Sequence, residues 1–520
     1  MKLFADSIKD GVVVLDFGSQ FTQLIARRLR ELDIYSEILP FSTSIEEIKK
    51  RSPKAIILSG GPHSVYGDKS PKRDLKPLLD LAPVLGVCYG MQLYCHQMGG
   101  EVKPTKDREY GLSEIKWSDL SSVKFPFLSK AKKTNAWMSH GDLVTGVPKG
   151  CEVIAESESG HIAAVVSKNF LGLQFHPEVM HTEYGSDILS YFIFEFAKLK
   201  TNWSSGEVYH RIESKLKSSV KEGDTILCAL SGGVDSAVVA TLLTKILGKE
   251  RVKCIFVDTG LLRKGEYQEV LDKMTSIGLD IKGVDESETF LSRLEGVSDP
   301  EKKRKIIGHT FIDVFKKEIS KIGKIDFLAQ GTLYPDVIES VSPNGQSVTI
   351  KSHHNVGGLP ENLDLELLEP VRELFKDEVR GLGRFLEMPE EVLSRHPFPG
   401  PGLAIRLLGE IHKEDIALLQ EADAIYIEAL KEEGIYDDIW QAFSVLLPVY
   451  SVGVQGDGRT YEKVLALRAV TSVDGMTADW FDFEHSFLKK VSNRITNKVK
   501  GINRVVYDIT SKPPGTIEWE

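Results

Sequence analysis

Short apolar runs rich in β-branched residues, each followed by an amphipathic stretch, recur through the first two-thirds of the chain. Val12–Leu15, Ala55–Leu58 and Val84–Val87 are unbroken apolar runs, the composition of strands buried on both faces of a parallel sheet. Phe21–Leu32 has helical spacing. From Ala197 to Gly223 the pattern turns polar and mixed, which predicts a boundary near residue 200 and a short helix. A second alternation begins at Asp224, with strands predicted at Thr225–Leu230, Val252–Val257 and Asp326–Ala329. Alternating strands and helices imply right-handed crossovers and a doubly wound sheet. The Pro/Gly-rich run His396–Gly402 interrupts this pattern. Beyond it, Ser444–Val454, Val464–Val470 and Arg504–Ile509 predict strands, and Asp482–Val499 an amphipathic helix. Three domains follow, at 1–199, 200–395 and 396–520. The first two are α/β with doubly wound parallel sheets, and the last is a small α+β domain.

With 42% hydrophobic and 27% charged residues over 520 positions, the composition is that of a globular protein large enough for several cores. The net charge of −10 argues against nucleic acid as the main partner, so an anionic substrate needs a local basic pocket. The five cysteines are odd in number and form no C-x-x-C pair, which favours a reducing compartment and no zinc site. The start of the chain has no signal-peptide pattern, and no apolar run is long enough for a membrane span. These features predict a cytoplasmic protein without a membrane partner.

Two chemical centres stand out. In Val84–Gly100, Cys88 ends an apolar run and begins a helical one, between Gly86 and Gly90. Small neighbours permit the sharp strand-to-helix turn that exposes a nucleophile, and a helix N-terminus favours a thiolate. In GLQFHPEV, His176 and Glu178 stand two apart and, on a strand, would share a face. There His176 takes the thiol proton and Glu178 orients the ring. Gly60 and Gly61 close a strand and offer N–H groups for an oxyanion. Together with LDFGSQ (Leu15–Gln20) and MSHGD (Met138–Asp142), these pieces resemble the class I glutamine amidotransferases over residues 11 to about 199. The resemblance implies a Cys88–His176–Glu178 triad that releases ammonia from glutamine. It also implies an oxyanion donor at Tyr89 N–H, and Gln92, His140 and Asp142 lining the glutamine site.

The second centre is Ile226–Leu243, where a strand-like run enters the loop Ser231, Gly232, Gly233, Val234, Asp235, Ser236 and then a helix. Bare N–H groups at a helix start, two glycines and two hydroxyls suit a phosphate. No Lys follows the glycines, so this is not a Walker loop. The SGGxDS pattern resembles the N-type ATP pyrophosphatases, which cleave ATP between the α and β phosphates and adenylate a substrate oxygen. Val257 and Asp258 end the next strand, and Gln330 and Gly331 the third, so both pairs reach the crevice at the sheet's carboxyl edge. Arg263 is placed to approach phosphate. Asp235, Asp336 and Glu339 stand open as Mg2+ ligands. Lys351, His353 and His354, before a Gly-Gly hinge, have the pattern of a lid over the reacting phosphate.

That loop also occurs in NAD synthetases, argininosuccinate synthetases and tRNA-thiolating enzymes, so alone it leaves the acceptor open. Glu301–Phe311, Val452–Glu462, Leu467–Trp480 and Asn503–Glu520 resemble the glutamine-hydrolysing GMP synthetases, and with them nearly the whole chain does. The resemblance implies that XMP, ATP and glutamine give GMP, AMP, pyrophosphate and glutamate, with Mg2+ accompanying ATP. It implies that Arg304, Asp457, Lys512, Thr516, Ile517 and Glu518 hold XMP, with Arg406 a weaker candidate. It also implies a homodimer formed through the C-terminal domain.

Overall fold

The computed structural model describes residues 10–68, 70–118, 123–340, 365–455, 458–472 and 477–520. They form two compact units, one chiefly of residues up to His210 and the other chiefly of residues from Arg211 onward.

The first unit is built on a nine-stranded sheet: β1 Val12–Asp16, β2 Ser36–Pro40, β3 Ala55–Leu58, β4 Val84–Val87, β5 Glu101–Trp117, β6 Lys133–Gly146, β7 Glu152–Ser157, β8 Ile162–Ser167 and β9 Phe170–Leu173. Their order is β2-β1-β3-β4-β9-β8-β7-β5-β6. The half from β2 to β9 is parallel. Alternate residues of its strands feed opposite cores, with Val12, Val14, Ile57 and Leu85 on one face and Val13, Leu15, Ile56 and Leu58 on the other. Burial on both faces is why the runs are apolar throughout. Beyond β9 four antiparallel strands extend the sheet. Apolar runs do not reveal β5 and β6, where polar residues and glycines outnumber apolar ones and β5 carries Pro104 and Gly111, whereas β8 holds the apolar run Ile162–Val166.

In the second unit, β10 Ile226–Leu230, β11 Val252–Asp258, β12 Ile281–Asp285, β13 Phe327–Ala329 and β14 Glu366–Leu368 form a parallel sheet in the order β12-β11-β10-β13-β14. The winding reverses between β10 and β13, which opens a crevice at their carboxyl ends. A second sheet joins the long antiparallel pair β15 Gln441–Gln455 and β16 Gly458–Thr471 to β17 Asp479–Trp480 and, in parallel, β18 Ile502–Tyr507. Residues on either side of the boundary expected at 395/396 share one core. Leu227, Ile255 and Leu261 pack in the same cluster as Leu403, Leu419, Tyr426, Leu465 and Val491. No helix among the described residues is long and apolar enough to cross a membrane.

Candidate active sites

Cys88 stands between β4 and the helix Tyr89–Gln97 with φ +49° and ψ −104°, a strained backbone for a side chain-bearing residue. The turn closes only because its flanks are glycine. A Cβ on Gly86 would lie 2.6 Å from the Phe170 ring and 2.8 Å from Gly90 C, and one on Gly90 would lie 2.6 Å from Leu58 O. The Cys88 N–H donates to Leu173 O at 2.7 Å, fixing the elbow to β9.

His176 and Glu178 do not lie on a strand, contrary to expectation: β9 ends at Leu173 and they follow on irregular backbone. Pro177 between them has no N–H for a ladder. They meet nonetheless, with His176 Nδ1 2.7 Å from Glu178 Oε1, both buried. Burial works against a charged ring, but the Glu178 carboxylate and a hydrogen bond to Cys88 outweigh it and push the imidazole up to about 10. Gly60 closes the group: a Cβ there would sit 3.0 Å from His176 Cε1 and 3.6 Å from Cys88 Cβ. This strand end therefore lies against thiol and imidazole together.

Gln92, His140 and Asp142 converge on one atom. Gln92 Nε2 donates to Asp142 O at 2.9 Å and His140 Nδ1 lies 3.1 Å from it. His140 Nε2 is 3.2 Å from Glu109 Oε2, while Glu109 Oε1 accepts from Ser157 Oγ at 2.9 Å. Despite partial burial, hydrogen bonds from His140, Ser157 and His161 bring the Glu109 carboxyl down to about 2. The Asp142 Oδ2 atom is buried without a hydrogen-bond partner among the described residues.

In the second unit the loop Ser231–Ser236 leaves β10 at the crevice and enters the helix Val234–Leu247. Gly232 has φ +74°, and a Cβ there would approach the Phe256 ring. Hydroxyls knit the loop: Ser231 Oγ and Ser236 Oγ are 3.2 Å apart, and Gly233 N–H donates to Ser231 Oγ at 3.3 Å. Val257 and Asp258 end β11 beside it, and Asp258 Oδ1 accepts from Gly260 N–H at 2.8 Å. Burial raises the Asp258 carboxyl, and the charges of Asp285 and Glu266 add to this. Gln330 and Gly331 follow β13, and a Cβ on Gly331 would lie 3.4 Å from Asp235. Arg263 does not reach this crevice. Its guanidinium is packed 5.3 Å from the Phe398 ring centroid and donates to Ala442 O at 3.2 Å, because the loop after β11 folds onto the C-terminal segment.

Asp235 and Asp336 both bear on Lys376, at the start of the helix Lys376–Phe385. Burial lowers its ammonium and the two carboxylates oppose that. Asp336 Oδ2 also accepts from Leu333 N–H at 3.0 Å. Among the described residues no three His, Cys, Asp or Glu side chains cluster as a metal site. The Glu339 side chain lies outside the described residues, as do Lys351, His353, His354 and Asp457.

The C-terminal tail is held from below. Arg304 Nη2 donates to Glu520 O, and buried Lys303 donates to Glu520 Oε2, Ala404 O and Leu407 O. Glu518 is paired with fully buried Arg406, Oε1 to Nη2 at 2.9 Å and Oε2 to Nε at 3.2 Å, and accepts from Gln441 Nε2 at 2.7 Å. Buried Arg468 gathers Thr510 O and Thr516 O, Lys512 bridges to Ala478 through both backbone groups, and Ile517 is buried. Arg304, Lys512, Thr516, Ile517 and Glu518 thus lie on or against one anchored strap, with Arg406 beneath it.

Residues 13–196 match the class-I glutamine amidotransferase family model, 208–305 that of NAD synthase, and 428–519 that of the GMP synthase C terminal domain. A glutamine-hydrolyzing GMP synthase of Bdellovibrio bacteriovorus is 60% identical over 98% of this chain and 100% of its own length. Relatives of the same name from Brachyspira hyodysenteriae and Aquifex aeolicus are 54% and 53% identical, each over 98% of this chain and 99% of their own. The chain belongs to the glutamine-hydrolysing GMP synthases.

Four polar residues beside these sites have no motif in this GMP synthase sequence that marks them. Gln174, whose Nε2 is 3.7 Å from Cys88 Sγ, stands in GLQFHPEV, where only its neighbours drew attention. Glu109 lies in a polar strand, and Lys376 opens an ordinary amphipathic helix. Gln441 starts a strand whose apolar pattern hides it.

Proposed function

We propose that the two units divide the GMP synthase reaction. The first takes the amide of glutamine. Cys88 Sγ attacks it with the thiol proton already held on His176, which passes that proton to the leaving ammonia, and Glu178 holds the ring. Water then hydrolyses the thioester to glutamate. Tyr89 N–H, at the helix start, with Gly60 or Gly61 N–H serves the oxyanion. Gln92 and His140 shape the pocket. The unpartnered Asp142 oxygen suits the substrate's α-ammonium, since an unpaired buried carboxylate oxygen is costly.

The second unit joins ATP to the O2 atom of XMP and releases pyrophosphate from the Ser231–Ser236 cradle. Val257, Asp258, Gln330 and Gly331 line the adenosine side. Ammonia then displaces AMP from the adenylated base and leaves GMP. Asp235 and Asp336 fit the one or two carboxylates that Mg2+ takes beside substrate phosphates, with Glu339 a third candidate. Mg2+ would neutralise charge on the departing pyrophosphate. Lys351, His353 and His354 cover the α-phosphate. Arg304, Lys512, Thr516 and Ile517 take the XMP phosphate, while Glu518 and Asp457 take its ribose or base. We place this chemistry in the cytoplasm, where five free thiols are compatible with a reducing medium. The exposed Tyr450, Val452, Val454 and Tyr461 on β15 and β16 support a homodimer through the C-terminal segment.

The observation that carries this proposal is the glycine cradle at the switch point of the β10–β14 sheet, in one chain with a strained cysteine elbow. The test is stoichiometry. One GMP, one AMP, one pyrophosphate and one glutamate should form together, and ADP with orthophosphate would overturn it.

A further inference from the structure

Arg395, just ahead of the Pro/Gly-rich run, reaches into the phosphate cradle from behind. Its Nη1 donates to Gly232 O at 2.8 Å, and its Nη2 pairs with Glu266 Oε1. Glu266 is buried, and its other oxygen accepts from Arg263 N–H at 2.7 Å. One guanidinium therefore ties the loop after β10 to the loop after β11. We infer that Arg395 is a positioning residue for adenylation, acting through the peptide between Gly232 and Gly233. This rests on the proposal that Ser231–Ser236 holds pyrophosphate.

A trans peptide points its C=O and N–H in opposite directions. With the Gly232 carbonyl held by Arg395, the Gly233 N–H must face the other way, toward Ser231 Oγ and the helix start. Two successive glycines have little steric reason to keep one peptide orientation. A flipped plane would turn a carbonyl oxygen toward the phosphates and remove a donor. Arg395 makes that flip costly, because a buried carboxylate already fixes its fork.

The hold extends along the chain. His396 Nδ1 accepts from Ala442 N–H at 3.2 Å, and Pro397 O accepts from Gln441 Nε2 at 3.1 Å. Gln441 Nε2 also donates to Glu518. The segment that pins the cradle is thus the segment that seats the acceptor strap, so triphosphate and acceptor keep one register.

The test replaces Arg395 with Ala in the full-length protein and follows pyrophosphate release with ATP, XMP and ammonium chloride. Turnover should fall about 100-fold, the scale of a misplaced reacting group. Alkylation of Cys88 by iodoacetamide should be unchanged. Guanidinium chloride, well below unfolding concentrations, should restore turnover in a saturable way, because the vacated side chain is 24% exposed. Urea should not restore it. Turnover within threefold of the parent, or a loss that guanidinium leaves untouched, overturns the inference. Should R395A not fold, R395K serves: its single ammonium cannot hold both partners, so turnover should drop with the KM for XMP unchanged, and parental turnover overturns the inference. S231A and D235A are run alongside. If they retain full activity, the cradle itself is misassigned. If they are inactive while R395A is not, only the role of Arg395 fails.

Discussion

The Nδ1 atom of His176 lies 2.7 Å from Oε1 of Glu178, across a single proline and outside the sheet. Against the cost of burial, the carboxylate and a hydrogen bond to Cys88 raise the imidazole from 6.5 to about 10. A raised value in the folded state means the fold binds a proton that the unfolded chain releases. That contribution is complete below pH 6.5 and is lost as pH climbs toward 10. Thermal stability of the amidotransferase unit should therefore decline across this window. In Glu178→Gln the slope should flatten, and equal slopes in parent and variant would contradict the pairing.

Cys88→Ala should abolish glutamine-driven GMP formation and spare the ammonium-driven route. In the proposed mechanism the thiol serves only glutamine hydrolysis, and Ser231–Ser236 belongs to the other unit. GMP measured with each nitrogen source decides the matter. Loss of both routes would refute the division of labour.

Gly90→Ala tests the elbow. The added Cβ would meet Leu58 Cβ and Leu58 O, both at 2.6 Å, and neither β3 nor the helix can move without disturbing Cys88. Overpacking of this kind costs about 1–3 kcal/mol. Glutamine hydrolysis should fall by at least as much as stability does, with ammonium-driven synthesis preserved. An unchanged kcat/KM for glutamine would show that the elbow tolerates bulk.

Much of this is legible in the sequence. A strand buried on both faces must be apolar throughout, so Val12–Leu15, Ala55–Leu58 and Val84–Val87 announce themselves, and the strand expected at Val252–Val257 extends only to Asp258. Gly86 and Gly90 around Cys88 signal a turn because no other residue fits there. In the antiparallel extension β5 and β6 were hidden, since they bury only scattered or alternate positions, while β8 carries an apolar run of its own. The irregular backbone at His176 was equally hidden, although Pro177 carried a warning. Gln441, Lys376 and Arg395 act through partners 40 or more residues away, beyond the reach of any local pattern.

Arg406 and Glu518 offer the last prediction. Arg406 is fully buried over the Phe443 ring, 4.1 Å from its centroid, and reaches both Glu518 oxygens. Arg406→Met fills much of the space but leaves a half-buried carboxylate that still accepts from Gln441 and has lost its cation. Removing one member of such a pair costs about 3–5 kcal/mol, while removing both costs less. Urea unfolding should show a large loss for Arg406→Met and a smaller one for Arg406→Met with Glu518→Gln. With the strap loosened, the KM for XMP should rise in the single variant while the KM for glutamine stays put. A single variant as stable as the parent would mean that the strap is held by Lys303, Arg304 and Arg468 alone.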